Sequence, residues 1–444
     1  MPGPLQNTQR PTWLSRLLSM FAEVRPGEAV TVVLMAVNVF CLLALYYVLK
    51  TVREALILTE SGAEVKSYAA AGQALLLLAV VPAYSAVASR VNRVWLVAGV
   101  TLFFASHLLV FYGLGAMRVP VGVPFFLWLG VFNLVVVAQF WAFANDLYSS
   151  EGGKRLFPLI GLGSALGAWL GAQFASILFA ALGPFRLLLV AAAGLVVCAA
   201  LTVWVHEREK GRSGGAKGEA ERPLGKEGAF QLIFRDRYLL LIALLLVVVN
   251  VVNTVGEFLL GSLVVQEASR LSATEGVDRG VFIGSFYGSF FAWVNLLGFL
   301  FQLLLVPRLF KYVGVNGTLF VLPLVALLSY GTLAFVPVLA VVRLMKTLEN
   351  ASDYSIQNTT RHALFLPTSR EAKYKAKQAI DSFFWRAGDL LQAGIVFLGT
   401  RFAFGGRDYA MLNLLFVGVW LVIVAEIARE YRTRVPAQSA RALA

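Results

Sequence analysis

Four ionisable residues, Arg343, Lys346, Glu349 and Asp353, stand 3, 3 and 4 positions apart in an otherwise apolar stretch. On a helix that spacing puts them on one face. Charge inside a bilayer is costly and is kept where it meets water or an opposite charge. A polar run follows directly, Ile356-Gln357-Asn358-Thr359-Thr360-Arg361-His362-Ala363-Leu364-Phe365-Leu366-Pro367. A charged face leading into such a run is suited to holding an anionic solute between helices.

Three further groups share this character. Lys50 and Arg53 are three apart and present two cations on one face, with Glu54 trimming the local charge. They serve as an anion clamp, or else they snorkel to the headgroups. Glu257 lies deep in the apolar run Asn250-Val251-Val252-Asn253-Thr254-Val255-Gly256-Glu257. A carboxylate there has to be paired, protonated or wet. A salt bridge to Arg343 or Lys346 and a role in gating are both open to it. Asp381, Arg386 and Asp389 sit in a later apolar run, where an ion-pair network or a proton relay would use them.

Other chemistry lacks its residues. There is no Ser-His-Asp set, paired Cys or HExxH helix, so no catalytic constellation is expected and the chain does not read as an enzyme. Two cysteines, Cys41 and Cys198, lie in apolar runs, and three histidines are scattered, so neither a metal nor a cofactor is expected. Gly163, Gly167 and Gly171 form overlapping Gly-xxx-Gly units, which let helices approach closely. They follow no strand and complete no nucleotide fingerprint.

These side chains need a scaffold, and composition defines it. Of 444 residues, 59% are hydrophobic and 14% charged, against roughly 25% charged in soluble domains. The net charge of +13 fits basic cytoplasmic loops better than nucleic-acid binding. The first 27 residues carry no signal-peptide pattern. A span needs roughly 20 apolar residues. Twelve runs qualify: Ala29–Leu49, Tyr68–Ala88, Val94–Leu114, Val121–Ala144, Leu156–Leu182, Phe185–Val205, Tyr238–Val265, Val281–Val306, Thr318–Phe335, Val336–Ile356, Ala379–Phe402 and Met411–Ala428. The expected fold is all-α, with six-helix bundles at 28–205 and 238–428. Residues 1–27 and 429–444 are expected in the cytoplasm. Residues 206–237, rich in Gly, Lys, Arg and Glu, read as a polar linker. Placing both termini inside puts 26 Lys/Arg in inner loops and tails against 9 outside.

Several stretches resemble the ATP/ADP translocase family of plastids and obligate intracellular bacteria. They are Tyr47-Val48-Leu49-Lys50-Thr51-Val52-Arg53-Glu54-Ala55-Leu56 with Ser61-Gly62-Ala63-Glu64, Phe140-Trp141-Ala142-Phe143-Ala144-Asn145-Asp146 with Lys154-Arg155-Leu156-Phe157-Pro158, Asp353 through Arg361 to Pro367, and Lys373-Tyr374-Lys375-Ala376-Lys377-Gln378-Ala379-Ile380-Asp381. The resemblance implies a major-facilitator-like fold of twelve helices and exchange of ATP and ADP. It carries the family's first-helix Arg and Lys onto Lys50 and Arg53, a later Lys onto Arg361, and a seventh-helix Glu onto Glu257. Three positions depart: Thr51 replaces an acidic residue, Leu129 a fourth-helix Glu and Gly261 a Lys.

The expected function is therefore secondary transport at a bacterial inner membrane, exchanging a nucleotide or related phosphorylated anion by alternating access. Lys50, Arg53 and Arg361, with Lys346, are expected at the phosphates, and Glu257 with them. Arg343, Glu349, Asp353, Asp381, Arg386 and Asp389 are expected to gate or balance charge. Tyr47 and Trp141 are candidate walls for a base. The expected partners are an anionic solute and the lipid bilayer, without nucleic acid, and a monomer suffices. A proton-coupled exporter of organic anions or drugs, using Glu257 or Asp381, is the rival. A receptor or scaffold without flux is the third reading.

Overall fold

In hydrocarbon every backbone N–H and C=O needs a partner within the protein, which leaves helices as the economical solution for apolar runs this long. The computed structural model describes residues 24–25, 28–88, 93–148, 150–210, 228–369 and 371–442, and no strand occurs among them. Five long helices open the chain: α1 (Ala29–Glu60), α2 (Gly62–Ala88), α3 (Arg93–Ala116), α4 (Gly122–Leu147) and α5 (Ser150–Glu209). A short α6 (Ala229–Arg235) precedes α7 (Arg237–Glu275), α8 (Arg279–Tyr312) and α9 (Gly314–Phe335). Then come α10 (Leu339–Ser352), α11 (Asn358–Leu364), α12 (Lys377–Ala379), α13 (Trp385–Arg401) and α14 (Gly406–Ala442).

Among the described residues nine helices are long and apolar enough to cross a membrane, which makes this a multi-pass membrane protein. The expectation was twelve spans. One of the nine, Arg155–Glu209, has the length of two spans, and Gly183 breaks it at φ +69° with Pro184 next. The charged segments on either side of residue 365 fall outside the nine. They are interrupted by π turns at Asp353–Gln357, Ala372–Ala376 and Ile380–Phe384. Further π turns lie at Asn133–Val137 in α4 and Phe301–Leu305 in α8.

Several boundaries move. The second apolar run was expected to begin at Tyr68, but helix begins at Gly62, so Lys66 and Ser67 are helical rather than loop residues. The expected linker His206–Arg237 is helical where it is described at its ends, through Glu209 and again over Ala229–Arg235. Its centre, 211–227, lies outside the described residues, as do most of the expected cytoplasmic segment 1–27 and Arg370. Caps mark the helix ends: Asp236 accepts from Tyr238 N at 2.9 Å, and Asp278 from Val281 N at 2.8 Å, just after Gly276 turns left-handed at φ +70°.

The chain divides into two compact units. The first comprises Met1–Arg53, Val80–Val121 and Trp128–Ala220. There α5 lies against α1 with no side chains between: a Cβ at Gly163, Gly167 or Gly171 would overlap the backbone of Ala36, Phe40 or Ala44. The Gly-xxx-Gly series thus serves helix packing, as its spacing implied. Asn38 Nδ2 donates to Thr202 Oγ1 at 2.9 Å across the same pair of helices. The second unit comprises Glu54–Ala79, Gly122–Leu127 and Glu221–Ala444. Its axis is α7, packed on α10, α13 and α14.

Candidate functional site

Within the second unit, α7 and α10 bring the buried charges together. Lys346 is completely buried. Its ammonium donates to Asn253 Oδ1 at 2.8 Å, to Glu349 Oε1 at 3.0 Å and to the Asn253 carbonyl at 3.2 Å. An ammonium has three protons, so these acceptors saturate it. Glu257 Oε1 lies 3.9 Å from Lys346 and accepts from Asn350 Nδ2 at 2.9 Å. The Tyr330 hydroxyl, from α9, is 3.0 Å from the Val252 carbonyl and 3.3 Å from Glu349 Oε1. Asn413 Nδ2, from α14, donates to the same Val252 carbonyl at 3.0 Å.

Four helices thus surround one cation and two carboxylates. Lys346 and Glu349 are buried, whereas the Glu257 side chain keeps 23% of its exposure. Of the two partners open to Glu257 in the sequence, the structure selects Lys346. Arg343 turns elsewhere, donating to Ser289 Oγ at 2.7 Å with its guanidinium 5.1 Å from the Phe286 ring. Asp353 heads the π turn, and its backbone carbonyl accepts from the Asn358 amide.

A second cluster joins α11, α12 and α13. Arg361 Nε lies 3.8 Å from Asp381 Oδ1, and Arg361 Nη2 donates to Asn358 Oδ1 at 3.1 Å. Lys377 Nζ pairs with Asp381 Oδ2 at 3.1 Å. The Arg361 guanidinium is 5.7 Å from the Trp385 ring centre. One turn on, Arg386 Nη1 meets Asp389 Oδ2 at 3.2 Å, and Asn250 Nδ2 donates to Asp389 Oδ1 at 2.7 Å. Asp381 and Asp389 thus each stand in an ion pair, with Lys377 and Arg386 respectively.

Lys50 and Arg53, the residues expected to clamp an anion, belong to the first unit. Lys50 is half-buried, with Nζ 5.3 Å from the Tyr47 ring, and Arg53 is half-buried at the end of that unit's first segment. Trp141 meets Phe140 and Phe157 edge to face. Glu54 is 1% exposed and pairs with Lys66 Nζ at 2.6 Å, both in the second unit. The spacing set Glu54 to trim the charge of Lys50 and Arg53, whereas the structure pairs it with Lys66, which lies outside the expected span. Lys66 also lies 5.4 Å from the Tyr287 ring.

No family model matches the chain. ADP,ATP carrier protein 1 of Chlamydia pneumoniae is 22% identical over 346 residues, covering 66% of this chain and 64% of that protein. ADP,ATP carrier protein 4 of Rickettsia felis is 22% identical over 348 residues, covering 68% and 66%. The chain thus matches just under two thirds of the length of each. ADP,ATP carrier protein 4 of Rickettsia conorii is 20% identical across 96% of both chains. The chain is thus similar in sequence, at 20–22% identity, to several ADP,ATP carrier proteins. Two solved structures have related folds. A bacterial homologue of the lysosomal transporter Spinster superposes with a TM-score of 0.62 at 14% identity, covering 93% of this chain and 99% of that one. The nucleoside transporter NupG gives 0.60 at 12%, covering 89% and 98%. The fold is all-helical among the described residues and like that of these two transporters.

Proposed function

We propose that the chain is a secondary transporter that exchanges nucleotides, of the ATP/ADP type, or a closely related phosphorylated anion. The likeness to the ADP,ATP carriers carries this reading, and it reaches 96% of the chain in one relative. The charges inside apolar helices support it. Lys50, Arg53 and Arg361 bind the phosphates, which require cations. Lys346, whose three protons are already held by Asn253 and Glu349, balances the interior charge instead of meeting substrate. Glu257, held by Asn350 yet partly accessible, re-pairs during the cycle. Exchange is obligatory because an empty set of cations is costly to carry through an apolar barrier, whereas a loaded set is neutralised.

In this reading the chain crosses a bacterial inner membrane twelve times, in six-helix halves at 28–205 and 238–428, with both termini in the cytoplasm. Counterflow in proteoliposomes tests the function: radiolabelled ATP, ADP, other nucleotides and phosphate are offered against each internal substrate. Labelled nucleotide should accumulate only when nucleotide is present inside, and a pH gradient should leave the rate unchanged. Uptake that follows the gradient without internal substrate would establish the proton-coupled rival.

A further inference from the structure

Lys377, Asp381 and Trp385 follow one another at four-residue steps, so a cation, an anion and an indole stand along one face of the α12–α13 segment. Arg361 lies across that row, 3.8 Å from Asp381 and 5.7 Å from the indole. Its contact with Asp381 is an ion pair without a hydrogen bond. Arg361 Nε and Asp381 Oδ1 are both shut off from solvent, and neither has a hydrogen-bond partner among the described residues. Buried polar atoms normally find partners, so a pair left unmade points to a contact that is exchanged for another. The side chains themselves remain accessible, Arg361 at 21% and Lys377 at 27%.

The backbone that carries the indole is anchored by a side chain of α7. The Trp385 carbonyl accepts from Asn250 Nδ2 at 2.8 Å, and the same amide group bonds Asp389. The Arg361 guanidinium lies 5.7 Å from the ring centre, at the outer edge of cation–π range. The Asp381 carboxylate stands where a phosphate would lie between Arg361 and Lys377. The guanidinium is the cation beside the indole, so a nucleotide whose phosphate meets Arg361 has its base within reach of the ring.

We propose that Trp385 is the surface on which the substrate's base stacks, and that Lys377 joins Arg361 on its phosphates. This assignment rests on the nucleotide-exchange reading and specifies which residues recognise each part of the substrate. Neither Tyr47 nor Trp141 is needed for the base.

Three ligands separate the parts: ATP, inorganic tripolyphosphate, which lacks the base, and adenosine, which lacks the phosphates. Their binding is measured by calorimetry on purified full-length protein in nanodiscs. Trp385→Leu should weaken ATP about tenfold or more, the scale of one base–aromatic stack, while tripolyphosphate binds as to wild type. Trp385→Phe should restore most of the loss. Lys377→Gln should weaken ATP and tripolyphosphate alike, about tenfold, and leave adenosine unchanged. Retained tripolyphosphate binding shows that the Leu variant is folded. Equal losses for ATP and tripolyphosphate in Trp385→Leu, or no loss of ATP, would overturn the stacking assignment while leaving nucleotide exchange standing. Wild-type protein that binds none of the three would sink the nucleotide reading, and this assignment with it.

Discussion

Lys346→Met keeps most of the stem and removes the charge. It takes away hydrogen bonds of 2.8, 3.0 and 3.2 Å, and the group left worst off is Glu349, which is 3% exposed and retains only the Tyr330 hydroxyl at 3.3 Å. Removing one partner of a buried ion pair typically costs about 3–5 kcal/mol. Protonation sets a ceiling on that cost. At pH 7 a glutamate with an ordinary value of about 4.3 takes up a proton for about 1.36 kcal/mol per pH unit, hence about 3.7 kcal/mol. At pH 5 the same ceiling falls to about 1 kcal/mol. The sign follows from linkage: the variant's folded state binds one more proton than its unfolded state above the ordinary value, so its deficit shrinks as pH falls. Denaturant titrations of purified protein in detergent, followed by tryptophan fluorescence, should show a loss of about 3–4 kcal/mol at pH 7 and about 1 kcal/mol at pH 5. Lys346→Met with Glu349→Gln should recover most of it at both pH values. A Lys346→Met variant as stable as wild type at pH 7, or one whose deficit does not change with pH, would refute the view that Lys346 compensates a buried carboxylate.

Gly256→Ala would push a methyl into the Tyr330 hydroxyl and to 3.0 Å from Lys346 Nζ, so a thermal-shift assay should record a loss of about 1–3 kcal/mol. Gly167→Leu should cut the yield of monodisperse protein on size-exclusion chromatography by forcing α5 off the Phe40 backbone, whereas Gly161→Ala, with nothing within 4 Å, should leave it unchanged. Glu257→Gln retains an acceptor for Asn350 while losing the charge, so counterflow should fall severalfold with a stability change under about 1 kcal/mol. Wild-type exchange by that variant would make Glu257 merely structural.

The helices were legible because long apolar runs leave the backbone little alternative, and the charged face at 343–353 was legible because spacing alone defines a helical face. The pairing of Glu257 with Lys346 was one of two options in the sequence, and the choice depended on the packing of α7 against α10. Lys66 was missed because hydropathy marks the apolar part of a helix, and α2 begins six residues before its apolar run. Tyr330, Asn253 and Asn350 carried no signal, since a lone hydroxyl or amide in an apolar run looks the same whether or not it holds a charge. Trp385 was overlooked for another reason. Its four-residue step from Asp381 and Lys377 is visible in the sequence, but Arg361 reaches that row from a segment on the other side of Pro367. The π turns leave no compositional mark.

The division between the two units falls inside continuous helices, and these differ in how easily they flex. In α2 it falls at Ala79–Val80, with Pro82 close by, and in α4 at Leu127–Trp128, shortly before Gly130 and a π turn. In α1 it falls at Arg53–Glu54, in a helix of 32 residues with neither glycine nor proline. Such a helix lacks the usual kink residues, so bending in it is spread along its length as gentle curvature. The one visible softening is Thr51, whose hydroxyl donates to the Tyr47 carbonyl at 2.9 Å, a bond that tends to bend a helix. That softening lies two residues from the division, in the same turn as Lys50 and Arg53.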